Sequence, residues 1–461
     1  MSIKRSSGLF FVGLVLSLFT ACGGGFGGVG EDNISAPTGG STLGDVEFGN
    51  TKHKIPTLVI VMNWNNYKES DATVWYDKIF NKASNSVNRW YYDSTDADIE
   101  FTPVTESSGI ANDGVIIVDM GKNHPGGSND TRFRDTELKS AITSSRVVSS
   151  VDFTSLDLDG NSYLNAKELQ VIFIVAGGEE SYGDSQDRSI WAHAWSFDSG
   201  NGPSVDGVKV MEESSDSNKS GSYAVFGATH GIDTAEAHKA TIGIMAHELG
   251  HSLLNLGDYY DNGGGSGLGI YDIMSNGSWA SKSNDSYPGE TPTQLSAFNK
   301  IDAQIDANVT DLNATATKTL KCSSNQLIKL ETKDTNEYFL LECRDTTRVD
   351  SDNSFNKADT HFTNNRLFGV VYHVDTNKTD NNEDGIQTQN NHYKVALIER
   401  NRTPLMTSVE GIEANLSDVY TEGYTIDTTQ TKMYDTTQSG YTIVVEGADY
   451  TQRTMTFRVT K

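Results

Sequence analysis

The stretch "IMAHELGHSLLNLGDYYD", residues 244–261, places His247, Glu248 and His251 in the pattern H-E-x-x-H. On a helix, residues four apart project from one face, so the two imidazoles can bind one metal ion. Glu248, next to the first histidine, is angled toward the metal's open position. A carboxylate there can take a proton from a water that the metal polarises. This is the chemistry of zinc-assisted amide hydrolysis. The bland alternative is a chance match on a surface helix. The apolar "TIGIMA" before the motif and "LLNL" after it argue instead for a buried helix.

Two histidines do not complete a zinc site, and none occurs between residues 252 and 360. In the metzincin pattern, H-E-x-x-H-x-x-G-x-x-H/D, a glycine turns the chain back toward the metal. Counted literally, Leu254 stands at the glycine position and Gly257 at the ligand position. The match recovers with one inserted residue, which puts Asn255 at the turn and Asp258 three residues beyond it. Asparagine is the next best residue after glycine in a left-handed conformation. Asp258 is therefore the expected third ligand and Asp261 its competitor. "YDIMSNGSW" (271–279) then sets Met274 in a tight polar turn, as a Met-turn beneath the zinc should be.

A second cluster lies in "DLDGNSYLNAKE", residues 157–168, which has EF-hand spacing. Asp157, Asp159 and Asn161 would offer side-chain oxygens, Tyr163 its carbonyl, and Glu168 a bidentate carboxylate to calcium. Ser162 occupies the position of the glycine that makes the sharp turn, which weakens the site. The residues after Glu168 read as a strand, so the second helix of an EF-hand is missing; a solvated acidic turn is the alternative.

The elements that must position these residues change character near residue 300. "KIPTLVIVMNW" (54–64) and "ELQVIFIVAGG" (168–178) read as buried strands, and "DIEFTPV" as a short one. "DATVWYDKIFNKASNSVNRWYY" and "DTELKSAITSSRVVSSV" carry helical spacing. Residues 233–256 read as one long amphipathic helix, capped by Asp233 with Glu236 three positions on. Trp191, His193 and Trp195 alternate as on a strand and read as core or cleft lining. Beyond residue 300, "QLIKLET", "EYFLLECRD", "RLFGVVYHVD", "HYKVALIER", "GYTIVVEGA" and "RTMTFRVT" are short strands between polar turns. The expected fold class is α+β: a metzincin-like domain with a mixed sheet and an active-site helix (51–300), then an all-β sandwich (301–461).

Residues 1–21 read as an export signal, with Lys4 and Arg5 before an apolar run too short to span a bilayer. It ends at "FTAC", which resembles a bacterial lipoprotein signal cleaved before a lipidated Cys22. Residues 22–50 are a Gly-rich tether; Gly25, Gly27 and Gly30 fit G-x-G-x-x-G without the strand and helix that a nucleotide site needs. The expected location is the bacterial cell envelope, lipid-anchored to the outer membrane or cell surface, or secreted. A monomer is expected. The net charge of −26 over 461 residues argues against nucleic acid, which requires a basic patch. Cys322 and Cys343 are candidates for a disulfide in an oxidising compartment, with two buried thiols as the alternative. A hairpin clip is the expected geometry, worth roughly 3 kcal/mol.

The chain resembles the immune inhibitor A-type secreted metallopeptidases, in "HELGH…L.DYYD" followed by "MSNGSWA". The resemblance continues in "VDFTSLDLDGNSYLN…LQVIFIVAGG", "SIWAHAW", "PTQLSAFNKI", "NEYFLLECR" and "LFGVVYHVD", and so covers about residues 54–460. It implies a zinc-dependent endopeptidase acting on proteins or peptides, with a β domain after the catalytic one. The extra residue before Asp258 and the lack of a long pro-segment depart from the family. The rival reading is an inactive surface-binding lipoprotein with a structural metal, against which the intact Glu248 speaks.

Overall fold

A computed structural model of the chain describes residues 53–82, 85–126, 131–261, 266–346, 366–381, 391–400 and 418–461. The export signal, Cys22 and the tether lie outside these residues. By contact, residues 57–72 and 104–240 form one compact unit, and residues 53–56, 73–103 and 241–461 another.

The first unit is built on a largely parallel sheet. Strand β1 (His53–Asn63) has its own unit's β3 (Val115–Asp119) on one side and β4 (Gln170–Glu179) on the other, both parallel to it. Strand β2 (Ile99–Pro103) belongs to the second unit. Strand β5 (Tyr223–His230) continues the sheet parallel to β4. Every residue of β4 is buried, as expected where both faces of a parallel sheet are covered. The run "VIFIVAGG" is apolar without alternation for that reason. The core beneath joins Leu58, Ile60 and Met62 of β1 to Phe173 and Val175 of β4 and to Val225 of β5. The segment read as helical is helical: residues 131–142 form one helical run with a π-helical stretch at Arg134–Leu138, and Ser145–Val148 adds a further short helix.

The second unit carries the helices α1 (Ala72–Phe80), α2 (Val87–Ser94), α3 (Ile242–Leu254) and α4 (Ala297–Asp302). The expected long helix over 233–256 is shortened to α3. Gly231 turns the chain at φ +64, and His238–Lys239 pairs antiparallel with the end of β5. Sheet pairing thus claims the residues that local propensity assigns to a helix. Asp233 does not cap α3; Thr241 precedes it in an extended conformation, φ −80 and ψ 161.

The described residues after 300 add nine further strands. They are β6 (Asn308–Leu312), β7 (Ala316–Lys321), β8 (Gln326–Glu331), β9 (Glu337–Asp345), β10 (Leu367–Asp375), β11 (Val395–Leu397), β12 (Thr425–Ile426), β13 (Thr442–Asp449) and β14 (Thr454–Thr460). They make two sheets, ordered β6-β8-β9-β10-β11 and β7-β14-β13-β12. One core fills the space between them, joining Phe339 and Leu341 of β9 and Val371 of β10 to Ile443 and Val445 of β13 and Phe457 of β14. The alternating burial along β14 is the pattern of a strand with one face in that core. The chain is α+β, with a β-rich C-terminal region.

Cys322 and Cys343 are joined in a disulfide, with Cα atoms 4.4 Å apart. It does not clip a hairpin as expected. Cys322 comes just after β7 and Cys343 lies in β9, so the bond ties one sheet to the other. Both residues are buried in the shared core.

Candidate metal centre

The helix α3 is apolar nearly all round, and all but one of its thirteen residues are buried. Such a helix is held by packing rather than by local pairs. It ends where Asn255 adopts the left-handed conformation, φ 54 and ψ 35. The turn puts the Leu256 carbonyl within 2.6 Å of His251 Nδ1, and two residues later it delivers Asp258.

The Nε2 atoms of His247 and His251 are 3.2 Å apart, and Asp258 Oδ1 lies 3.2 Å from each. The three donor atoms form a nearly equilateral triangle. Donors about 2.0–2.1 Å from a tetrahedral ion stand roughly 3.3 Å from one another, so the triangle has the size of one face of such a site. The tautomers agree. His247 Nδ1 is 2.9 Å from the Ile273 carbonyl, and a carbonyl only accepts, so both imidazoles hold their proton on Nδ1 and turn Nε2 inward. The electrostatics point the same way. Burial alone would lower the pKa of His251, but the Asp258 carboxylate overrides it and raises the value to about 9. Burial opposes ionisation of Asp258 as well, yet the two imidazoles hold its carboxyl well below the ordinary range. Positive charge is favoured at the triangle's centre. His247 is buried, whereas His251 and Asp258 are partly exposed, so the centre is open to solvent on one side. These residues fit a resident metal ion.

Asp261, the competitor, is not part of this group. Its buried carboxylate accepts a hydrogen bond from the Tyr393 hydroxyl. Glu248 lies on the same helix, buried, and no described residue hydrogen-bonds its carboxylate. Burial raises its pKa, and the neighbouring imidazoles oppose the rise.

Several supporting groups were not read from the sequence. The Tyr260 hydroxyl donates to Asp258 Oδ2 at 2.8 Å, which leaves Oδ1 facing the histidines. The Tyr91 hydroxyl, on α2, donates to the Ala246 carbonyl at 2.9 Å and braces the helix beside Glu248. The Asp272 carboxylate accepts from the Met274 amide at 2.9 Å and from the Asn299 side chain at 2.6 Å; burial raises its pKa to about 6. Arg344, on β9, donates to the Tyr271 carbonyl at 2.8 Å. Only the tyrosine in "DYYD" carried a signal, its place beside the candidate ligand.

Met274 is fully buried, and its sulfur rests against Gly250. A Cβ at Gly250 would stand 2.5 Å from that sulfur. A side chain in place of the glycine within "HELGH" would press on that methionine.

The 157–168 loop lies in the first unit. Carboxylate oxygens of Asp157, Asp159 and Glu168 come close enough to share an ion. They are already hydrogen-bonded. Asp157 accepts from the Asn161 and Ser162 amides, and Glu168 from the Leu158 and Asn165 amides. Asn161 turns inward on the loop, its amide nitrogen donating to Asp159 and its oxygen accepting from the Tyr163 amide. Tyr163 begins a short strand paired with Lys209. Ser162 holds the left-handed conformation, φ 66, that a glycine would hold without strain. His193 lies on a strand paired with β5, its ring nitrogen 2.8 Å from the Trp191 carbonyl.

No curated protein matches the chain. The family model described as "Immune inhibitor A peptidase M6, catalytic domain" matches residues 65–306, a span that includes both clusters. The family is one of metallopeptidases, which require a metal, and this chain belongs to it.

Proposed function

We propose that the chain is a zinc-dependent endopeptidase of metzincin type, exported and held at the bacterial envelope through a lipidated Cys22. The observation that carries this reading is the 3.2 Å triangle of His247 Nε2, His251 Nε2 and Asp258 Oδ1 beside an unengaged Glu248. When bound there, zinc supplies Lewis acidity that polarises the scissile carbonyl and acidifies water. The protein's own groups do the rest. Ile273 and Leu256 carbonyls fix the two imidazoles in the ligating tautomer, and Tyr260 fixes the aspartate. Glu248 takes the proton from the attacking water and passes it to the leaving amine. Met274 serves as the Met-turn that supports the helix from below.

The 157–168 loop is proposed as a calcium site with a structural role, through Asp157, Asp159, Asn161, the Tyr163 carbonyl and Glu168. Protein or peptide substrates are expected, and the lipid anchor is the only membrane contact proposed.

The test is cleavage of casein by the purified chain with and without chelator, alongside metal analysis. About one zinc per chain should be found. Glu248→Ala should keep that metal and lose about 10²–10⁴-fold in rate, the usual contribution of a general base. Unchanged turnover in the variant would sink the mechanism.

A further inference from the structure

The turn at residues 271–274 holds two of the three candidate ligands through its own backbone. The Ile273 carbonyl meets His247 Nδ1 at 2.9 Å, and the Met274 carbonyl accepts from the Tyr259 amide, next to Asp258, at 2.7 Å. The turn is itself fixed from further along the chain. The Ile273 amide donates to the Gln294 carbonyl at 3.3 Å, which sets the turn beside residues 294–295. Arg344 spans the two segments: its Nη2 donates to the Tyr271 carbonyl at 2.8 Å and to the Leu295 carbonyl at 3.4 Å. All of these residues belong to the second unit.

Arg344 stands on β9, 1% exposed, and Glu342 on the same strand accepts from its Nε at 2.9 Å. The Tyr372 hydroxyl, on β10, donates to that Glu342 oxygen and stands 3.3 Å from Nη2. A buried ion pair of this kind can be a staple of its sheet and nothing more. Two features go beyond a staple. The pair is complete between β9 and β10, yet the guanidinium also donates to main-chain carbonyls outside that sheet. Its planar fork, moreover, reaches a carboxylate and two carbonyls at once, where an ammonium would be a point charge. The same charge acts on Asp272, whose carboxylate accepts from the Met274 amide. Burial raises the pKa of Asp272 to about 6, and Ser296, the Met274 amide and Arg344 oppose the rise.

We propose that Arg344 is a positioning residue for the metal centre. From a strand beyond residue 306, where the family match ends, it fixes the 271–274 turn and, through that turn, the placing of His247 and Asp258. The C-terminal sheets are then a working part of the site. Loss of an outer partner of a metal ligand costs about 10–100-fold in affinity, and Arg344 acts one step further out, so the lower end is expected. The proposal rests on the reading of His247, His251 and Asp258 as zinc ligands.

Zinc affinity of the purified chain by chelator competition, read beside the melting temperature of the metal-free chain, tests it. Arg344→Lys keeps the charge beside Glu342 and loses the fork; it should weaken zinc binding by about tenfold. Tyr372→Phe removes a hydroxyl from the same buried network without touching the turn. It should lower the melting temperature and leave zinc affinity unchanged. The visible spectrum of the cobalt-loaded chain, which reports ligand geometry, should change in the Arg344 variant and not in Tyr372→Phe. If Arg344→Lys does not fold, Arg344→Gln combined with Glu342→Gln removes the fork and the buried ion pair together and should show the same loss. Native zinc affinity in the folded Arg344 variant, or an equal loss in Tyr372→Phe, overturns the proposal and leaves the zinc reading standing. A native chain that binds no zinc overturns the zinc reading itself, and the proposal with it.

Discussion

The two candidate ion clusters are alike in span and different in physics. Each draws its donors from a stretch of twelve residues, 247–258 and 157–168. In the loop, the carboxylates are met by amides of the loop itself, with Asn161, Ser162, Leu158 and Asn165 as donors. The loop has its shape by its own hydrogen bonds, and a cation there adds to a fold already made. In the helix cluster, the donor atoms face one another across 3.2 Å, and what holds them comes from outside: the Ile273 carbonyl, the Met274 sulfur and the brace of Tyr91. The first arrangement is local and self-sufficient. The second is built by tertiary contacts and leaves three donor atoms facing one another.

The largest effect should come from removing the carboxylate of the second cluster. Asp258→Ala should weaken zinc binding by more than the roughly 10–100-fold that loss of an outer partner costs. Asp261→Ala should keep the metal and lose thermal stability instead, because it breaks the buried contact with Tyr393. Chelator competition and a melting curve on both variants decide between them; the reverse pattern would show that the wrong aspartate has been chosen.

Calcium should stabilise the folded chain through the loop by about 2.7 kcal/mol at a hundredfold excess over its dissociation constant. Asp157→Ala should abolish that calcium-dependent rise in melting temperature without unfolding the loop's unit. If the same rise persists in the variant, the ion binds elsewhere.

Gly250→Ala probes the outside support. Alanine gains up to about 1 kcal/mol in helix propensity, but its methyl meets the Met274 sulfur, and overpacking costs about 1–3 kcal/mol. A net loss of stability is expected in the native background. With Met274→Ala alongside, the same substitution should become neutral or favourable, and a cycle showing no coupling would remove the methionine from the support.

The smallest expected effect is that of Tyr260→Phe, which takes away one hydrogen bond to Asp258 Oδ2. Zinc affinity should fall by about tenfold with the fold unchanged, at the lower end for an outer-shell partner. Unaltered affinity would assign the hydroxyl to packing alone.

Much of the fold and of the metal centre is legible in the sequence, for reasons that differ by region. The strands at 326–331, 337–345 and 454–460 announce themselves because their apolar residues recur at sheet spacing or run unbroken where both faces are buried. Strand β7 does not, since "ATKTLK" is mostly polar and its pairing with β14 lies over a hundred residues away. The start of α3 is misplaced by local signals because Asp233 and Glu236 make a good cap, while the pairing of His238–Lys239 with β5 decides the matter. The sequence offers Cys322 and Cys343 as candidate partners, but not the sheets that they join.

The sequence by itself determined the chemistry of the metal centre. Two histidines four apart on a helix must share a face, and Asn255 is a residue that can turn left-handed, which is what it does. Those are local consequences of backbone geometry. Tertiary structure decided which aspartate stands beside the imidazoles, since Asp261 is claimed by Tyr393, 132 positions along the chain. It decided, too, what a side chain at residue 250 would meet, because the sulfur beside Gly250 comes from a turn beyond the helix. Contacts between residues far apart in the chain depend on how whole elements pack, and no short window of residues contains that information.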